Sequence, residues 1–106
     1  MTQGLGYEFA KFRLKEGISQ EVLLEASSAM DEYFFPTQDG FISHTLIGLE
    51  GSEYMDMIIA TTKENAERIC GNWYGNGYCE AFLAAVDTES VSIGFGISLT
   101  NMKQAA

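Results

Sequence analysis

Hydrophobic and polar residues alternate along several stretches of the chain, most clearly near its end. In the segment SVSIGFGISLT (90–100), every second position from Val91 to Leu99 is apolar, while the positions between them hold only serine and glycine. This period of two is typical of a β-strand with one bulky face and one bare face. Because glycine in a strand costs backbone entropy, the bare face predicts close approach by a helix, a second subunit or a ligand.

The same pattern predicts three earlier strands, at 7–15, 41–49 and 53–61. Helical spacing predicts a helix that begins after Ser19 and is stopped by Pro36, a second over 63–73 with Thr62 as its N-cap, and a short helical piece over 79–86. Strand, helix, strand, strand, helix, strand is the ferredoxin-like α+β order, which forms a four-stranded antiparallel sheet in the order 4-1-3-2. We expect one domain over 1–106, with an ordered core from about 7 to 100.

Two helices cover only one face of such a sheet. In the first strand we expect Ala10, Phe12 and Leu14 to face the helices, together with the bulky positions of the last strand. The opposite face of the sheet, which we call the open face, then receives Phe9, Lys11 and Arg13.

In the third strand, the cost of burying a charge favours placing Asp56 on the open face. Tyr54, Ile58 and Ala60 would share that face, and Met55, Met57 and Ile59 would enter the core. The open face is then too apolar for solvent and too polar for a dry core. A second copy of the chain, packed sheet against sheet around a partly wet cavity, satisfies both demands.

Composition and charge narrow the function classes. With 6 Lys and Arg against 15 Asp and Glu, the net charge of −9 argues against nucleic acid and anionic membranes as partners. No apolar run reaches membrane-spanning length and no signal peptide is visible, so a cytoplasmic location is expected. Cys70 and Cys79 match no zinc or redox spacing and are expected to be packing residues. No metal site is predicted.

Three features together resemble a known superfamily: the order of elements, the segment DGFISHTL with its hairpin, and TTKENAERI leading into the second helix. The chain is similar to the dimeric α/β-barrel superfamily, and within it to antibiotic-biosynthesis-monooxygenase-like domains, from about Phe9 to Leu99. The resemblance implies homodimers, with ligands held between sheet and helices or within the shared barrel. Members include cofactor-independent oxygenases of aromatic substrates and haem-degrading enzymes. The positions that correspond to the haem-degrading residues hold Phe12, Cys70 and no histidine, so no cofactor is expected.

His44 is the only histidine, and its face depends on the register of the hairpin. A three-residue turn over 50–52 sets Leu46 opposite Asp56 and His44 opposite Ile58. A two-residue turn would instead oppose Glu50 and Glu53, two carboxylates, and is disfavoured. With Asp56 on the open face, His44 becomes a candidate base beside it. The alternative is an edge-strand histidine bonded to water or backbone.

The remaining candidates are polar and aromatic. Asp56 with Lys11 or Arg13 is predicted to orient an anionic or phenolic ligand, or else to form ion pairs at the subunit interface. Tyr54 is predicted to line the same cavity. Trp73, in the segment NWYGNGY (72–78), is predicted to be a stacking wall or lid for a planar ligand, or else to plug the end of the core.

Two functions remain open from the sequence. The first is a cofactor-independent monooxygenase-like enzyme for an aromatic or polyketide-like substrate, with His44 as base. The second is a non-catalytic ligand-binding or structural dimer. An enclosed cavity that reaches both His44 and Trp73 favours the enzyme, and a filled interface favours the structural dimer.

Overall fold

The computed structural model describes residues 4–102, and residues 1–3 and 103–106 of the predicted domain lie outside the described residues. Seven main elements follow one another: β1 (Gly6–Phe12), α1 (Gln20–Tyr33), β2 (Phe41–Gly48), β3 (Tyr54–Ala60), α2 (Lys63–Gly71), α3 (Gly77–Ala85) and β4 (Ser92–Ile97). Short 3-10 helices follow α1 at Phe35–Thr37 and precede β4 at Thr88–Ser90.

The four strands form one antiparallel sheet in the order β2-β3-β1-β4. This is the predicted order read from the other edge, so the ferredoxin-like α+β arrangement is confirmed. β1 and β3 occupy the centre of the sheet, and β2 and β4 form its edges.

Side-chain caps fix where the helices begin. Ser19 Oγ accepts a hydrogen bond from the backbone N–H of Val22, and Thr62 Oγ1 accepts one from Asn65. These are the two predicted N-caps. Asn76 caps α3 in the same way by accepting from the N–H groups of residues 78 and 79. Because each cap satisfies a backbone donor that has no partner inside the helix, it defines the first turn.

The core lies between the sheet and the three helices. On the β1 side, Phe12 stacks on Tyr54 with ring centroids 5.7 Å apart and meets the edge of Phe82 from α3. The fully buried side chains of α2 are Ala66 and Ile69, as the helical spacing predicted. Ile93 and Phe95 of β4 pair with Ala10 and Glu8 of β1, so the bulky residues of β4 share the helix-facing side of β1 as predicted. At this edge of the sheet Ile93 and Ile97 remain 51% and 52% exposed.

The third strand faces the opposite way from the prediction. Asp56, Ile58 and Ala60 are almost completely buried beneath the helices, whereas Met55, Met57 and Ile59 lie on the open face and are only partly buried. Both sets contain apolar residues, so the predicted cost of burying Asp56 was the only basis for choosing between them. That cost is offset in the structure because Asp56 is hydrogen-bonded to a histidine.

The side chain of Phe9, from the neighbouring strand β1, covers part of the bare face of β4. Gly94 pairs with Phe9 of β1, and a Cβ atom at Gly94 would lie 2.5 Å from the Phe9 ring. At Gly96 the same ring would be 3.9 Å away, an ordinary contact. Gly94 therefore allows Phe9 to lie across the sheet, and 38% of Phe9 remains exposed on the open face.

A membrane-spanning role finds no support in the helices between residues 4 and 102, because none of them combines the length and the apolar character needed to cross a bilayer.

Candidate active site between the sheet and the helices

The hairpin register places His44 beside Asp56. Leu46 pairs with Asp56 and His44 with Ile58, and the backbone N–H of Leu49 donates to Glu53 O at 2.8 Å to close a three-residue turn. This is the register favoured from the sequence. Since Ile58 faces the helices, His44 does too, and its predicted position on the open face was wrong for the same reason as that of Asp56.

His44 bridges two carboxylates. Its Nε2 lies 2.6 Å from Asp56 Oδ1, and its Nδ1 lies 2.6 Å from Oδ1 of Asp31, which α1 contributes. Because ionised carboxylates only accept hydrogen bonds, both ring nitrogens are assigned as donors and the ring as an imidazolium. The ring of Phe35 packs on the imidazole with centroids 4.4 Å apart. These contacts hold His44 in one orientation.

Burial and charge act against one another at this cluster. Burial lowers the pKa of His44, but the hydrogen bonds and charges of Asp56 and Asp31 outweigh it, so the pKa is raised above its ordinary value. Burial raises the pKa of Asp56 in spite of the opposing effect of His44. Burial, reinforced by the charge of Asp56, also raises the pKa of Glu8 to about 8. Glu8 is therefore mainly protonated at neutral pH.

A cavity of about 60 Å³ lies between the sheet and helices α2 and α3. A space of this size holds about four water molecules, so a larger ligand would extend through its mouth. Asp56 and Trp73 are among the residues that line it, whereas His44 is not, so the predicted cavity that reaches both His44 and Trp73 is not formed within the described part of the chain. Tyr74 and Ile93 line the cavity and are 77% and 51% exposed, which places the mouth beside them. The other lining residues are Glu8, Ala10, Phe12, Asp56, Cys70, Trp73, Phe82, Leu83, Val86 and Val91.

Two buried polar atoms of lining residues have no hydrogen-bond partner among residues 4–102. They are Asp56 Oδ2, an acceptor, and Trp73 Nε1, a donor. An unsatisfied buried polar atom costs about 1–3 kcal/mol, and such atoms are uncommon in folded proteins. Both atoms belong to residues that line the cavity.

The structure separates the other predicted site residues. Trp73 lies at the cavity, with its indole in edge contact with Phe35 and Phe82. Tyr54 faces the helices, where its hydroxyl donates to Gln20 Oε1 at 3.0 Å, and it is not among the lining residues.

The two predicted basic groups lie elsewhere. Lys11 Nζ and Arg13 Nε contact Glu53 at 3.5 and 3.7 Å, and the Lys11 and Arg13 side chains are 47% and 63% exposed. The predicted cluster of Asp56 with Lys11 or Arg13 is therefore not formed within the chain.

Two acidic residues of the site were missed from the sequence. Glu8 alternates in phase with Ala10 and Phe12, so the period of the first strand would have placed it under the helices. Asp31 carries no comparable signal, because its contact with His44 depends on how α1 packs against β2.

The carboxylates of the site and the two cysteines are also the candidate groups for metal and thiol chemistry. Among residues 4–102, no group of three or more His, Cys, Asp and Glu side chains has the arrangement of a metal site. Burial is the main cause that raises the pKa of Cys70 to about 11 and that of Cys79 to about 12. Both are protonated thiols at neutral pH and are weak nucleophiles.

Comparison with solved structures identifies the fold. SnoaB, a cofactor-independent oxygenase from Streptomyces nogalater, superposes with a TM-score of 0.70 at 14% identity over 95% of this chain and 99% of that one. A provisionally named antibiotic biosynthesis monooxygenase from Bordetella bronchiseptica gives 0.68 at 16% identity, over 92% of this chain and 100% of that one. A dimeric ferredoxin-like protein of unknown function from Jannaschia sp. CCS1 gives 0.66 at 10% identity, over 90% and 100%.

The predicted likeness to antibiotic-biosynthesis-monooxygenase-like ferredoxin-fold proteins is thus confirmed at the level of the fold. No protein-family model matches the sequence, and no curated protein sequence matches it. Since identities of 10–16% establish the fold alone, function has to be argued from the site.

Proposed function

We propose that this protein is a homodimeric, cofactor-independent oxygenase-type enzyme that binds a hydroxylated aromatic molecule in the cavity beneath α2 and α3. The observation that carries the proposal is that two residues lining one cavity with aromatic walls each hold a buried polar atom without a partner among residues 4–102, Asp56 Oδ2 and Trp73 Nε1. A ligand with one hydroxyl donor and one oxygen acceptor would satisfy both.

The lining favours a phenol over an anion. It is mostly aromatic and aliphatic, with two carboxyl groups, and no lysine or arginine is among the described residues that form it. A ligand carboxylate would meet the charge of Asp56 without a cation to offset it. A phenolic hydroxyl can instead donate to Asp56 and lie flat against Trp73 or Phe82.

Asp56 replaces His44 as the proposed base. Both nitrogens of His44 are occupied by carboxylates, whereas Asp56 Oδ2 is free to accept a proton from the ligand. Removal of the hydroxyl proton makes the ring electron-rich at carbon, so that this carbon can react with dioxygen. Counted from the keto tautomer of the ligand, a ring CH₂ group and O₂ give a ketone and water. Trp73 Nε1–H would donate to the oxygen on which negative charge develops. SnoaB, which shares the fold, is named as a cofactor-independent oxygenase.

The open face supports the homodimer. Phe9, Met55, Met57 and Ile59 form an apolar strip across the centre of the sheet, and each is at least partly exposed. A strip of this kind is typical of a protein interface rather than a free surface. The ferredoxin-like protein from Jannaschia with the same fold is described as dimeric. A cytoplasmic location stays a prediction.

Binding of matched probes tests the ligand class. We expect 4-nitrophenol to bind at least about tenfold more tightly than 4-nitroanisole, which has the same ring but no donor, because a hydrogen bond to a charged acceptor contributes about 1.5–3 kcal/mol. Asp56→Asn should remove the preference while Asp39→Asn, an exposed control, keeps it. Calorimetry measures the affinities, and quenching of Trp73, the only tryptophan, locates the probe. Equal affinities for the two probes would contradict the proposal.

Oxygen consumption separates the enzyme from a binding protein. With an anthrone as substrate and a chelator present, we expect uptake of one O₂ per quinone formed, lost in Asp56→Asn. Tight binding of phenols with no uptake above the uncatalysed rate would favour the non-catalytic dimer instead.

A further inference from the structure

A continuous line of polar groups joins the surface of α1 to the cavity. It begins at Asp31, whose side chain is 54% exposed, passes through His44 and ends at Asp56, both of which are only 2% exposed. Each link is 2.6 Å long. The far oxygen of Asp56, Oδ2, is buried and has no hydrogen-bond partner among residues 4–102, and Asp56 is one of the residues that line the cavity.

Packing fixes the orientation of the His44 ring between the two carboxylates. Phe35 lies against the imidazole, and β2 and β3 pair through residues 44 and 58, so the ring cannot turn without losing both carboxylates. The other titratable side chains that line the cavity are Glu8 on β1, Cys70 on α2 and Tyr74 in the loop that follows α2. Among the residues that line the cavity, only Asp56 is hydrogen-bonded to His44.

We propose that Asp31 and His44 form a proton path to solvent, through which His44 releases its Nδ1 proton when Asp56 accepts a proton from a bound hydroxyl group. The proposal rests on the function proposed above, because it describes how uptake of the ligand proton by Asp56 is compensated by release of a proton from His44. Asp31 and His44 act through Asp56 and do not touch the ligand.

The protons balance at each step. The ligand hydroxyl gives its proton to Asp56 Oδ2, while Oδ1 still accepts from His44 Nε2–H. The Nδ1 proton of His44 passes to Asp31 and from there to water, which leaves His44 neutral. One proton enters the Asp56–His44 pair and one leaves, so the pair is neutral before and after the transfer, and the charge that remains at the site is the negative charge of the ligand phenolate. When the product is protonated by Asp56, His44 recovers a proton through Asp31.

The single histidine makes the first test direct, because every imidazole ¹⁵N signal belongs to His44. We expect both ring nitrogens of the free protein to be protonated at pH 6. When 4-nitrophenol binds as its yellow phenolate, Nδ1 should lose its proton and Nε2 should keep it. The same addition of 4-nitrophenol to Glu8→Gln tests whether Glu8, the other carboxyl group of the cavity, causes the change in the Nδ1 signal. Phenolate formation with both nitrogens still protonated would overturn the path and leave the proposed function standing.

The second test needs no ligand, so it tests the proton path even if 4-nitrophenol does not bind. Failure of 4-nitrophenol to bind would count against the proposed function and not against the path. Asp31→Asn keeps an acceptor for Nδ1–H but cannot take its proton. We expect exchange of the Nδ1 proton with water to slow at least about tenfold, as for loss of a general base. Glu32→Gln, the adjacent exposed carboxylate, should leave exchange unchanged. A purely structural hydrogen bond shields its proton, so unchanged or faster exchange in Asp31→Asn would overturn the proposal.

Discussion

Glu8 offers the most quantitative test of the buried acidic site. The pKa of this carboxyl rises from 4.5 to about 8 on folding, chiefly through burial. At 1.36 kcal/mol per pKa unit, ionising Glu8 inside the fold costs at most about 5 kcal/mol. Replacing it with glutamine keeps the shape and removes the charge.

The sign of the effect follows from proton linkage. Between pH 4.5 and about 8 the folded chain binds more protons at Glu8 than the unfolded chain does, so the free energy of unfolding falls as pH rises. The raised pKa values of His44 and Asp56 act in the same direction. From pH 5 to pH 9, Glu8 alone accounts for a loss of up to about 4 kcal/mol.

Urea unfolding at pH 5, 7 and 9, at one protein concentration, measures this loss. We expect Glu8→Gln to gain stability relative to the native chain as pH rises, by up to about 4 kcal/mol between the extremes. Glu25→Gln, an exposed change on α1, should show a constant difference. If the Glu8→Gln difference stays within about 0.5 kcal/mol from pH 5 to 9, Glu8 is not a desolvated carboxyl and the description of the cavity is wrong.

Three further predictions concern the open face, the glycines and His44. Met57→Lys should convert a sedimenting dimer to a folded monomer because Met57 lies outside the helix-side core, and a persistent dimer would reject the proposed interface. Gly94→Ala should destabilise the chain by about 1 kcal/mol more than Gly96→Ala, since only the first requires the partly exposed Phe9 ring to move, and equal melting curves would contradict this. His44→Gln should lower stability by about 3 kcal/mol at pH 6 and by less as pH rises and the native imidazolium is titrated; a loss that grows with pH would contradict the raised pKa of His44.

Local patterns in the sequence were enough to predict the fold. Ser19 and Thr62 cap their helices by bonds to residues three positions away, and strand alternation is a property of each segment alone. The three-residue hairpin turn was also predictable, because it avoids opposing Glu50 and Glu53. These features do not depend on how distant parts of the chain meet.

The site was less predictable because its energetics depend on partners from different elements. The rule that charges avoid the core placed Asp56 and His44 on the open face. In the structure each offsets the burial of the other, and Asp31 from α1 completes the cluster. A rule applied to one residue cannot anticipate this mutual compensation.

We propose that a bound hydroxyl group completes the cavity at Asp56 Oδ2 and Trp73 Nε1. A crystal structure of the protein with 4-nitrophenol tests it most directly. We expect the phenolic oxygen to lie within hydrogen-bond distance of Asp56 Oδ2, with the ring between the sheet and helices α2 and α3. A probe found only on the open face of the sheet, with the cavity occupied by protein side chains, would contradict it.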